Sequence, residues 1–123
     1  MIRVSAMPPH GSTSDVYGPA MGAVPRTLAE INAGWLSDQL ELSITAVEVD
    51  EIGVGEGFMG QLARVRLESL DAGAPASVIV KLPTSDPGGL FIGEMMRVWE
   101  REHCFYRDVA PHMEIRIPAA LVN

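Results

Sequence analysis

Gly53-Val54-Gly55-Glu56-Gly57-Phe58-Met59-Gly60, with Val78-Ile79-Val80-Lys81 downstream, is the stretch on which the reading of this chain turns. Glycines at alternating and then wider spacing remove Cβ atoms where a backbone bends sharply or approaches a ligand closely. Successive amide N–H groups in such a turn converge on an anion such as a phosphate. Three arrangements use glycines this way, and the flanking residues separate them. A Walker A loop ends in Gly-Lys-Ser/Thr, whereas Gly60 is followed by Gln61. A dinucleotide-binding turn opens a helix after its last glycine. Here Leu62-Ala63-Arg64-Val65-Arg66-Leu67-Glu68 alternates apolar and charged, which is a strand pattern. The third arrangement runs strand, glycine-rich loop, strand, turn, then a strand bearing a lysine. Gly55 to Gly60 has its glycine spacing, with Leu62 where valine is usual. The plainer alternative is a glycine-rich hairpin that holds nothing. The lysine strand at the right distance favours the phosphate reading.

Working outward, Ile44-Thr45-Ala46-Val47-Glu48-Val49-Asp50 alternates and reads as the first strand, and residues 61–69 as the second. On the second, Ala63, Val65 and Leu67 share one face, and Arg64, Arg66 and Glu68 the other. After the turn Asp71-Ala72-Gly73-Ala74-Pro75, Ser77 to Leu82 reads as the third strand, with Lys81 on the face of Ser77 and Ile79. A lysine in so apolar a strand is either an edge residue that deters aggregation or a cation facing a phosphate. A helix is expected after Pro25. Thr27 and Glu30 have capping-box spacing, and Leu28, Ile31, Trp35, Leu36 and Leu40 fall mostly along one face. Trp35 reads as an anchor onto the sheet. A second helix is expected from Leu90 to about Val109, ended by Pro111. Glu102 stands in its apolar stripe, where an acid is expensive unless paired or at the stripe's margin. Glu94, Glu100 and Asp108 read as solvated charges. Ile115 to Val122 reads as a last strand interrupted by Pro118. Residues 1–24 are turn and breaker chemistry without periodicity and are expected to be a disordered leader.

Composition narrows the classes. The chain has 123 residues, enough for one domain or part of one, and 47% of them are hydrophobic. A net charge of −7 argues against a nucleic-acid or anionic-membrane surface. The single Cys104 excludes an internal disulfide and fits a reducing, cytoplasmic compartment. No apolar run approaches a membrane span. His10, His103 and His112 lack ligand spacing, so no structural metal site is expected.

The ordered combination of Pro25-Arg26-Thr27-Leu28, Trp35-Leu36, Ile52 to Gly60, Val80-Lys81-Leu82-Pro83, Glu100 to Arg107 and Ile117-Pro118 resembles a known family. It is similar to the N-terminal lobe of the aminoglycoside phosphotransferase superfamily, small-molecule kinases with a protein-kinase-like fold. The branch it most resembles includes ecdysteroid-kinase-like and choline-kinase-like proteins, and Glu102, Phe105 and Tyr106 are the most branch-specific part. The resemblance implies an α+β fold: an antiparallel sheet with a leading helix and a helix C, over residues 25–123. It implies an ATP site in which Gly53, Gly55, Glu56, Gly57, Phe58 and Gly60 cover the phosphates. Lys81 would contact the α and β phosphates, and Glu102 would pair with Lys81. It further implies that the catalytic and Mg²⁺-binding aspartates, and the pocket for a small hydroxyl-bearing acceptor, belong to a C-terminal lobe with no counterpart here. The chain is therefore expected to carry part of a nucleotide site and no catalytic residue, and to be inactive by itself. The same resemblance implies a fifth strand between the third and fourth, missing here, so that unpaired strands favour self-association or re-pairing of residues 112–123. The competing reading is a non-catalytic α+β domain that acts in protein interaction.

Overall fold

Alternating apolar residues give three consecutive strands, and a fourth, shorter one comes from an unexpected part of the chain. The computed structural model describes residues 2–5, 24–54, 60–117 and 119–122. Its elements are β1 (Ile2–Ser5), α1 (Ala33–Leu40), β2 (Ile44–Ile52), β3 (Gly60–Ser69), β4 (Ser77–Pro83), α2 (Pro87–Met95), α3 (Val98–Cys104) and β5 (Ala119–Val122). The chain is α+β, with a sheet in the order β2-β3-β4-β1-β5.

The antiparallel part is β2-β3-β4, in which Val49 lies opposite Val65 and Val65 opposite Val78. Ala63, Val65, Val78, Val80 and Leu82 on one face are buried in the same cluster as Ile31, Trp35 and Leu36. Trp35 is thus the anchor its position in the helical stripe predicts. Leu36, Val65, Val78, Val80 and Leu82 have no exposed surface, and each such side chain contributes ~1.5–3 kcal/mol of transfer free energy. The strand reading holds to within two residues at every end of β2, β3 and β4.

The helices differ from expectation at their ends. Thr27 makes no capping bond to the backbone. It donates from Oγ1 to the Glu30 carboxylate instead, which also accepts from Arg26 N–H. This acid–hydroxyl contact closes a 3-10 turn at Leu28–Glu30, and α1 starts only at Ala33, capped by Asn32, whose Oδ1 accepts from Trp35 N–H at 2.9 Å. The second expected helix is two. Arg97 sits in the left-handed region at φ 52°, between α2 and α3. The turn folds Trp99 back onto Gly93, where a Cβ would overlap the indole. After Cys104 the chain continues as a π-helical turn, Phe105–Val109.

Two expectations about the sheet are corrected. The sheet is mixed, because β1 runs parallel to both β4 and β5. The leader is not wholly without structure either, since Ile2–Ser5 is β1; residues 6–23 lie outside the described residues. The backbone row of β4 that was expected to be unpaired meets β1, with Arg3, Val4 and Ser5 opposite Ile79, Val80 and Lys81. An open row of N–H and C=O groups beside a core strand is a strong template, and the extended segment Ile2–Ser5 satisfies it. The last strand is shorter than expected: β5 is Ala119–Val122, and residues 115–117 are irregular.

Candidate functional site

Lys81 and Glu102 stand out because each is a charge among apolar neighbours. Alternation along β4 turns Val78, Val80 and Leu82 into the core, leaving Ser77, Ile79 and Lys81 in the opposite row. Lys81 is paired across the ladder with Leu62 on β3. Glu102 comes from α3, and its Oε2 accepts from Lys81 Nζ at 2.7 Å. The side chains are only 26% and 18% exposed. The pair thus joins strand to helix in a partly desolvated setting, where Coulomb attraction is stronger than between surface charges. It leaves a primary ammonium held in one place beside Gly60.

The glycine loop opens and closes at residues whose geometry demands glycine. Gly53, just after β2, has φ +70°. Gly60 begins β3 and lies opposite Pro83. A Cβ there would stand 2.9 Å from the Leu82 carbonyl oxygen and 3.4 Å from Lys81 Cε. Any larger residue at 60 would therefore press on the β4 backbone and on the lysine stem together. The structure thus brings Gly60, Lys81 and Glu102 into one neighbourhood. Gly55, Glu56, Gly57 and Phe58 lie outside the described residues.

The sequence marks Gln61 only as the residue that breaks the Walker pattern, and the structure gives it a further role. Its Nε2 donates to the Arg26 carbonyl at 3.2 Å and to the Pro83 carbonyl at 3.1 Å. One amide thus ties the segment before α1, the root of the loop and the end of β4. No spacing rule marks it; a polar residue immediately after a strand-opening glycine was the available signal.

Glu100 pairs with Arg97 and Asp108 with Arg107, both in exposed positions, so these are solvent-screened surface pairs. No group of three or more His, Cys, Asp or Glu side chains suited to a metal occurs among the described residues. No described helix is long and apolar enough to cross a membrane. Comparison with protein-family models, with curated proteins and with solved structures finds no match to this chain.

Proposed function

We propose that this chain is the ATP-binding lobe of a phosphotransferase acting on a small hydroxyl-bearing substrate. The observation that carries the reading is the 2.7 Å Lys81–Glu102 pair beside Gly60, on the sheet face opposite the core. The residues suit a polyphosphate. Gly60 lacks the Cβ that would crowd Lys81, and the lysine is a fixed, part-buried point charge. In this reading the loop 53–60 covers the phosphates with its backbone N–H groups, and Lys81 neutralises the α and β phosphates. Glu102 is a positioning residue that holds the ammonium in register. ATP, when bound, supplies the phosphoryl group to be transferred. The metal and the acceptor belong to a catalytic lobe of the kind such kinases carry, and the compartment is the cytoplasm.

Titration of MgATP into the purified chain, followed by calorimetry, tests this. Saturable binding is expected in the wild type, weakened about tenfold or more by Lys81→Ala, as loss of one phosphate-facing charge implies. Absence of saturable binding, or Lys81→Ala binding like the wild type, overturns the reading. One observation favours the competing role in protein interaction: Phe91 and Met95, one helical turn apart on α2, are each 66% exposed.

A further inference from the structure

We propose that Ile2–Ser5 is a detachable clip. It occupies a strand-acceptor slot between β4 and β5, and it is the element that joins β5 to the sheet. In the strand order, β5 neighbours β1 alone, and β4 has no ladder to β5. Among the described residues, every ladder contact of β5 therefore runs through β1.

The two sides of β4 are unequal. Its inner edge meets β3 along the full strand, from Gly60 opposite Pro83 to Arg66 opposite Ser77. Its outer edge meets β1 only from Ile79 to Lys81. The ladder between β1 and β5 is also interrupted, with a register shift between Arg3 and Val4. Parallel pairing is slightly weaker per residue than antiparallel pairing. The sheet therefore has a strong unit, β2-β3-β4, with its own core against α1, and a weak pair of strands on one side. Local opening begins where ladders are short. That place is β1.

Detachment does not lose the clip, since residues 6–23 join it covalently to the rest of the chain. A tethered strand returns to its slot at high effective concentration. While it is away, β4 presents an open edge from Ile79 to Lys81, and the slot takes an extended peptide by strand addition. The inner end of the clip, Ser5, lies opposite Lys81, so the clip reports directly on the strand that carries the lysine. This inference concerns backbone pairing and is independent of what the Lys81–Glu102 pair binds.

Hydrogen exchange on the full chain tests it. Val4→Pro removes a ladder donor from a strand that has a neighbour on each side. The expected result is that exchange quickens about tenfold or more in residues 119–122 and at the outward amides of 79–81, while 44–52 and 60–69 keep their protection. An excess of a peptide with the sequence of residues 1–6, added in trans to Val4→Pro, is expected to restore protection at both places. Unchanged exchange in 119–122 overturns the clip. Loss of protection in all strands together overturns its detachability, since it makes β1 part of the cooperative core. Failure of the peptide to restore protection overturns the acceptor slot. Wild-type protection at 79–81 that rises with protein concentration places the strand in a second copy and overturns pairing in cis.

Discussion

Neutralising Glu102 by Glu102→Gln keeps its size and removes its charge, leaving the Lys81 ammonium without its carboxylate. Two limits bracket the cost. An exposed ion pair is worth about 0.2–1 kcal/mol, and breaking a fully buried one costs about 3–5 kcal/mol. With the lysine 26% and the glutamate 18% exposed, this pair lies between them. A loss of about 2 kcal/mol is expected. Removing both charges, with Lys81→Met alongside Glu102→Gln, also removes the cation that has lost this carboxylate. The double variant should then be more stable than the sum of the single losses predicts, by a coupling of about 1–2 kcal/mol. Urea denaturation followed by tryptophan fluorescence measures this, since Trp35 lies in the core on one sheet face and Trp99 follows α2 on the helical segment that carries Glu102. Single losses that add to within about 0.5 kcal/mol would mean the two groups do not interact in solution. The positioning role of Glu102 would then fall, whatever the nucleotide titration shows.

Gly93→Ala adds a methyl group that overlaps three atoms of the Trp99 ring. The gain in helix propensity, ~1 kcal/mol, is outweighed by overpacking of ~1–3 kcal/mol, so a lowered urea midpoint is expected; an unchanged or raised midpoint refutes the contact. A pH effect is expected at the β2–β3 base. There the Asp71 carboxylate accepts from the Ser43 backbone N–H, which holds its pKa below the ordinary value against the opposing effect of burial. A depressed folded pKa stabilises above the unfolded value, about 3.9, and that stability is lost as pH falls through the folded value. The urea midpoint should therefore drop less on acidification in Asp71→Asn than in the wild type, and superposable acid profiles would refute the linkage.

Some of this was legible in the sequence, for reasons that differ by element. The strands β2, β3 and β4 follow from period-two alternation because each has one face in the core, and a slip of one residue would expose Val65 and Val80. Lys81 and Glu102 were legible as misfit charges, each needing a partner. The break at Arg97 was not, because Met95, Val98 and Trp99 keep a helical period across it. Across the break Trp99 packs against Gly93, a contact that helical periodicity does not encode. Ile2–Ser5 was hidden for a similar reason. Four residues of alternation beside prolines and glycines carry little signal, and their partners lie far along the chain, at 79–81 and 119–122. The N-cap is Asn32 and not Thr27 although both residue types suit the role: Thr27 bonds the Glu30 carboxylate, while Asn32 accepts from Trp35 N–H.

The Gln61 amide has a consequence for how this chain can change over generations. Ile52 and Leu62 face each other across the hairpin, and Gln61 binds the carbonyls of Arg26 and Pro83 just inside that point. The root of the loop is thus fixed by groups that do not belong to the loop. Exchange of residues 54–59 as a cassette is therefore expected to leave the strands beyond Gln61 in place. Gly60 marks the inner limit of that cassette, since a Cβ there would stand 2.9 Å from the Leu82 carbonyl oxygen. A library randomised over 54–59 should keep the stability of the parent chain while altering what the loop covers.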